Sequence, residues 1–210
     1  YDTYALHLLV RDETTYLPWT SSAIRPGALA CVLNDIAINN RHTIVEFGSG
    51  ISTLLISRTL DSPTHRLISF ENDPEWATTV SRSIKNAGLA DVCQVIHAPL
   101  QPCDESLDGS HWYDRSVIHK TLAGLEIDIV ICDGPLGSTP GLTMSRYPAI
   151  PVVSRYLANR YSIYLDDIDR RGERVIARKW GDLLGISFTH QLVRGSFSVG
   201  TKGDHFNSVI

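Results

Sequence analysis

The chain has 210 residues, 43% hydrophobic and 20% charged, the profile of a globular domain rather than a disordered or fibrous one. At this length folding buries roughly 70% of the unfolded surface, so a core forms without disulfide or metal staples. Nineteen Lys and Arg against 23 Asp and Glu give a net charge of −4 with no long block of one sign, which argues against a nucleic-acid partner.

One domain is expected, with residues 1–40 as an N-terminal cap or helix segment and 41–210 as an α/β core. The most basic stretch, Arg170 to Lys179, contains Glu173 and follows Asp166, Asp167 and Asp169, and so reads as a solvated helix face. Cys31, Cys93, Cys103 and Cys132 show no Cys-x-x-Cys spacing, and Cys93 and Cys132 lie in apolar runs, as buried thiols of a reducing compartment do. No apolar run approaches the ~18 residues of a membrane span, and no signal-peptide pattern is present. A cytoplasmic location without membrane contact is expected, although a chain opening at Tyr1 leaves room for an upstream segment.

A helix is expected near Pro26 to Ile38, then a buried strand at Thr43 to Phe47 and a helix through Leu54, Leu55 and Leu60. Arg66 to Glu71 reads as the second strand. Asp73-Pro74-Glu75 follows with an N-cap, a proline at the first helical position and a first-turn acid, opening a helix with Trp76, Val80 and Ile84 on one face. Val92 to His97 and Ile127 to Cys132 are the third and fourth strands, and Pro99 to Lys120 between them reads as a long irregular loop. A helix from about Ala149 to Asn159 leads to strand Tyr161 to Leu165, and the next carries Ile176, Trp180 and Leu183 inward. Ser187 to Leu192 and Ser196 to Thr201, around Arg194-Gly195, read as an antiparallel hairpin. This order predicts an α/β doubly wound sheet, mostly parallel with an antiparallel terminal strand, whose ligands sit at the carboxyl ends of the strands.

The first strand runs into Glu46-Phe47-Gly48-Ser49-Gly50-Ile51-Ser52-Thr53, a Gly-rich turn opening a helix. Thr53 stands where a dinucleotide loop favours a third glycine, and Glu46 would repel a pyrophosphate but hold an ammonium group, so a cationic ligand is expected. Glu71 ends the second strand 21 residues after Gly50, the offset at which an acid accepts both ribose hydroxyls. Together the two acids describe a nucleoside that also carries an amino group.

These residues resemble the S-adenosylmethionine-dependent methyltransferases of the Rossmann-like class. Glu46 to Thr53, Phe70 to Pro74, His97-Ala98-Pro99-Leu100, Trp112-Tyr113-Asp114, Asp133-Gly134-Pro135, Arg146-Tyr147-Pro148 and Leu165-Asp166-Asp167 are similar, in order, to segments of its small-molecule O-methyltransferase branch, from about Leu17 to Gly200. The resemblance implies a seven-stranded sheet with its last strand antiparallel. It also implies S-adenosyl-L-methionine held by Glu46, Gly48, Ser49, Gly50, Ser52, Thr53, Glu71 and Asn72, with His97, Ala98, Pro99 and Leu100 bordering the adenine and Asp133 at the centre. The opening segment with Trp19, Ser21 and Ser22 would cover the cleft. Trp112 and Tyr113 read either as aromatic walls of the site or as anchors of a surface loop.

Asp133, Asp166 and Asp167 would repel one another unless a cation or proton intervened, and all-oxygen ligation suits Mg²⁺ or Ca²⁺. The set resembles that of the divalent-metal-dependent catechol and caffeoyl-coenzyme A O-methyltransferases, but the Lys which that branch carries three residues after its first Asp is Leu136 here. The other reading is that Asp166 and Asp167 cap the next segment and pair with Arg170 or Arg171. Arg146 would clamp an acidic acceptor or the cofactor carboxylate, or form a structural ion pair with one of the three Asp. The expected activity is methyl transfer to an oxygen of a small-molecule acceptor, with Asp133 and Arg146 as candidate catalytic groups. Two alternatives stand beside it: a cofactor-binding partner module without catalysis, and an NAD(P)-dependent oxidoreductase.

Overall fold

The computed structural model describes residues 18–61, 63–138, 141–193 and 195–206. Residues 1–17 of the expected N-terminal cap, with Leu17, and Arg194 of the expected hairpin turn lie outside the described residues. In chain order the elements are α1 (Pro26–Asn39), β1 (Thr43–Phe47), α2 (Ile51–Ser57), β2 (Arg66–Glu71), α3 (Pro74–Asn86), β3 (Cys93–His97), β4 (Leu100–Pro102), β5 (His111–Tyr113), α4 (Arg115–Leu122), β6 (Ile127–Cys132), α5 (Ala149–Val153), β7 (Leu157–Leu165), α6 (Arg171–Leu184), β8 (Phe188–Gln191) and β9 (Phe197–Lys202).

Seven strands form one sheet in the order β3-β2-β1-β6-β7-β9-β8. β1 and β6 are the central pair, in parallel register with Phe47 opposite Cys132, and their β-branched runs are buried because helices cover both faces. One apolar layer joins α1, α2 and α3 to the sheet through residues such as Leu29, Val32, Leu54 and Val80. A second joins α4, α5 and α6 through Ile118, Ile150 and Trp180. The strand order reverses beside β1, between β2 and β6, and a cleft opens there at the carboxyl ends. β9 runs antiparallel between β7 and β8, as an α/β sheet with one antiparallel strand requires, and so lies inside the sheet rather than at its edge.

Local chemistry accounts for the helix ends. Asp73 accepts from the backbone N–H of Trp76 at 2.7 Å and Pro74 begins α3, while Lys85 stands in its last turn. Gly185 ends α6 at φ +66°, a left-handed conformation that glycine adopts without a Cβ penalty.

Two expectations are corrected. The stretch Pro99 to Lys120 is not an irregular loop: Leu100 pairs with Tyr113 in a short antiparallel ribbon and α4 follows. Three-residue strands are too short to leave an alternation in sequence, and the ribbon is fixed by burial of Trp112 and Tyr113 against Phe47. The helix expected to reach Asn159 stops at Val153, and a 3₁₀ turn, Ser154–Tyr156, leads straight into β7. Leu157 pairs with Ile127, so sheet pairing claims residues whose apolar spacing also suits a helix. Among the described residues no helix is long and apolar enough to cross a membrane. Cys93 and Cys132 are buried free thiols, and Cys31 is buried as well.

Candidate active site

The β1 and β6 turns meet back to back at the cleft floor. Gly48 holds φ +94°, and a Cβ on it would stand 2.9 Å from the backbone nitrogen of Gly134. Gly48 N–H donates to Phe70 C=O at 2.9 Å and Gly134 N–H to Phe47 C=O at 2.7 Å, locking the turn to its neighbours. A Cβ on Gly134 would in turn collide with the Tyr113 hydroxyl. That hydroxyl is buried with no hydrogen-bond partner, as is the Trp112 indole N–H.

Glu71 organises one wall. Its Oε1 accepts the N–H groups of Asn72 and Asp73 at 2.8 and 2.9 Å, and its Oε2 accepts the N–H and hydroxyl of Ser49 at 2.9 and 3.1 Å. Trp76 Nε1 donates to Ser49 C=O at 2.8 Å, tying α3 to the same loop.

Glu46 departs from expectation. Its side chain is fully buried under the Gly-rich turn rather than standing at its mouth. The hydroxyls of Ser52, Thr53 and Ser69 donate to it at 2.6, 2.5 and 2.6 Å. Burial outweighs those bonds and pushes its carboxyl up to about 7. Thr53 also accepts Gly50 N–H at 2.9 Å, which is why this position is not a third glycine. Ser52 is the member of this group that reaches a cavity.

Two cavities lie on either side of the Ser49–Glu71 pair. One, of about 270 Å³, is lined by Ser22, Ser49, Gly50, Ser52, Trp76 and Asp133, with Pro18, Thr20 and Ala23 from the opening segment. Of the residues expected to cover the cleft, Ser22 lines this cavity, whereas Trp19 and Ser21 do not. The other, of about 440 Å³, is lined by Asn72, Leu100, His111, Pro135, Leu136 and Leu142 among others. Asp108 roofs it by accepting the N–H groups of Ser110 and Met144 at 3.1 and 3.0 Å. Those bonds hold its carboxyl below the usual range, although partial burial opposes them most strongly. Ala98, expected to border the adenine, is buried in the core layer with Phe70 and Trp112 and lines neither cavity. His97 is a correction: it faces the outer groove between α3 and β3 with Pro74, Arg82 and Lys85, because alternation along β3 turns it away from the cleft.

The opposite wall is acidic. Asp133 follows β6, Asp166 and Asp167 follow β7, and one oxygen from each lies within 4.8 Å of the others, as expected. Arg146 is only 3% exposed and stands among them, its Nη2 3.0 Å from Asp167 Oδ2 and 3.5 Å from Asp133 Oδ1. Its guanidinium also donates to the carbonyls of Pro135 and Asp166, each at 3.2 Å, and to that of Asp133. On its far side Glu173, buried and without a hydrogen bond to either oxygen, lies 3.9 Å from Nη1. Arg170 reaches Asp167 Oδ2 at 2.8 Å and Glu173 at 3.6 Å. Burial, above all, raises the carboxyls of Asp133 and Asp166, and repulsion within the cluster adds to it; Asp166 is raised further because Asp133 and Asp167 both press on it.

Arg146 forms the ion pairs with the Asp residues that were one of its two expected roles, and its remaining hydrogen bonds go to three backbone carbonyls. The donor set also fits a divalent ion poorly. Oxygens of Asp133 and Asp167 already face a guanidinium, and only Asp166 Oδ1 is buried without a partner.

Sequence reasoning missed Glu173, Asp108 and the cavity-facing role of Trp76. Glu173 carried a signal, an acid three residues after Arg170 in the first turn of the helix that follows the two aspartates.

No protein-family model matches the chain, and no curated protein matches it by sequence. Its structure is similar to the cofactor-bound Rv0187 from MTB (20% identity, TM-score 0.58, 95% of this chain and 88% of that one). It is also similar to a protein from Staphylococcus aureus named provisionally as a caffeoyl-CoA O-methyltransferase (10%, TM-score 0.64, 96% and 99%). A third is the O-methyltransferase TomG from Streptomyces achromogenes, involved in tomaymycin synthesis and solved in complex with SAM (16%, TM-score 0.57, 96% and 90%). The chain therefore has the Rossmann-like methyltransferase fold, with the turn-to-turn cleft of that fold at the ends of β1, β2 and β6.

Proposed function

We propose that the protein is an S-adenosyl-L-methionine-dependent methyltransferase that acts on an oxygen of a small molecule. The observation that carries this reading is Glu71 bonded to Ser49 and Asn72, with one cavity beside Ser49 lined by Ser22, Ser52 and Asp133 and another beside Asn72 lined by Leu100, Pro135, Leu136 and Leu142. An elongated ligand with an amino-acid end among the serines, a ribose at Glu71 and an aromatic base among the leucines matches that series of linings. The structures of this fold solved with SAM support the same donor.

In this reading Glu71 holds the ribose, and the Ser49 hydroxyl, at 3.1 Å the longest of its four bonds, is the contact a ribose hydroxyl replaces. Asn72 and Leu100 border the base. Glu46 acts one residue removed: Ser52 donates its proton to Glu46, so its lone pairs remain free to accept from a ligand ammonium group in the cavity beside Ser49. The donor supplies a methyl group bound to a positively charged sulfur. Transfer to a hydroxyl forms the O–CH₃ bond, breaks the S–CH₃ bond and releases one proton. Asp133 lines the cavity beside Ser49, and its carboxyl is raised by burial, so it is placed to take that proton. The rest of the catalysis is positioning, worth up to ~7 to 11 kcal/mol in oriented systems.

Calorimetric titration with S-adenosylmethionine and S-adenosylhomocysteine tests the reading. Binding is expected in the wild type and its loss, by about 100-fold or more, in Glu71→Ala, where two ribose hydrogen bonds to a charged acceptor disappear. Tight NAD binding with no heat from either methionine derivative would overturn it.

A further inference from the structure

We infer that Arg146 is the resident cation of the Asp133–Asp166–Asp167 cluster, standing where a divalent ion would otherwise be required, so that this chain organises its acidic wall without a metal. The inference concerns this wall alone and does not depend on which ligand the cleft takes.

Three observations carry it. First, the guanidinium is inside the cluster, 3.0 Å from Asp167 and 3.5 Å from Asp133, closer than a metal-bridged arrangement would leave it, since a cation between those oxygens would be driven apart from a second one at hydrogen-bond distance. Second, it is held there by the carbonyls of Asp133, Pro135 and Asp166, which come from both turns that a metal would bridge. The planar fork of five donors therefore ties β6 to β7, the structural task of a divalent ion at such a site. Third, its charge is anchored from behind by Glu173, buried at 3.9 Å, while Arg170 shares Asp167 and Glu173, so two fixed cations serve four carboxylates. A side chain that were merely passing would not be enclosed on every side.

Asp166 Oδ1 is buried without a hydrogen-bond partner, while oxygens of Asp133 and Asp167 face the guanidinium. A divalent ion that takes six or more ligands would have to share those two carboxylates with a fixed cation at hydrogen-bond distance.

The experiment is titration of the full chain with Mn²⁺, read by the electron paramagnetic resonance signal of the free hexaaqua ion, with Arg146→Ala and Asp167→Asn beside the wild type. The wild type is expected to leave the free signal undiminished, and Arg146→Ala to bind Mn²⁺ about tenfold or more tightly than wild type because its carboxylates lose their counter-charge. Mn²⁺ uptake by the wild type, abolished in Asp167→Asn, would overturn the inference, and this arm decides the matter even if Arg146→Ala does not fold. S-adenosylhomocysteine binding is measured on the same samples with EDTA. Unchanged binding supports the inference, loss on chelation overturns it, and no binding with or without EDTA counts against the methyltransferase reading and leaves the manganese result to stand alone.

Discussion

The two walls of the cleft are built on opposite principles. On the β1–β2 side every carboxylate is answered by neutral donors: three hydroxyls surround Glu46, and three N–H groups and a hydroxyl surround Glu71. On the β6–β7 side four carboxylates crowd two arginines, and oxygens of Asp166 and Glu173 are left buried without hydrogen bonds. The first wall is pre-organised and can bind without rearranging. The second holds like charges close together, balanced by two arginines rather than by neutral donors.

The largest effect expected is on the acidic wall. Arg146→Ala strands buried carboxylates and should lower unfolding free energy by about 3 to 5 kcal/mol in urea melts. A loss below 1 kcal/mol would mean the two walls do not differ as described.

The neutral wall should answer to pH, as the raised carboxyls of Asp133 and Asp166 make the acidic wall do. Glu46 ionises at about 7 in the folded protein against an ordinary 4.5. Because the folded value is the higher one, its contribution is fully present below pH 4.5 and is lost as pH rises through 7, amounting to about 3 kcal/mol. Urea midpoints between pH 5 and 8 should therefore fall with pH in the wild type, and Glu46→Gln should make that slope shallower, leaving the part that comes from Asp133 and Asp166. An unchanged slope would place the titration elsewhere.

The seam between the walls comes next. Gly134→Ala should cost about 1 to 3 kcal/mol by driving a methyl group into the Tyr113 hydroxyl and Gly48. Tyr113→Phe removes one of those two obstacles, so the double variant should recover part of the loss, a coupling that a double-mutant cycle reads directly. Strict additivity would show that the clash is with Gly48 alone. Smallest is Asp73→Ala, which removes one N-cap bond from α3 behind the neutral wall and should cost about 1 kcal/mol in thermal melts without altering ligand specificity.

The sheet was legible because its evidence is periodic. Ile127 to Cys132 reads as a buried strand from hydrophobicity alone, and Asp73-Pro74-Glu75 announces α3 by capping chemistry. Glu71 was found by its spacing from the glycine turn, and Asp133, Asp166 and Asp167 by standing at strand ends. What could not be read were distances across the fold. Nothing local turns Glu46 inward onto Ser69, or brings Arg146 and Glu173 to one guanidinium–carboxylate contact from different segments. The ribbon of β4 and β5 was hidden for a different reason, since each strand is three residues long and is held by aromatic burial rather than pattern. His97 illustrates the period-2 hazard: one position along a strand separates the cleft from the outer groove.

The position of β9 also bears on how the chain acquires this fold during synthesis. Among the described residues β8 pairs only with β9, and β9 separates it from β7. β8 therefore leaves the ribosome before the strand that holds it, and that edge of β7 waits open until β9 arrives. The β8–β9 hairpin joins the sheet after β7 has been made, with an unpaired edge exposed to other nascent chains in the interval.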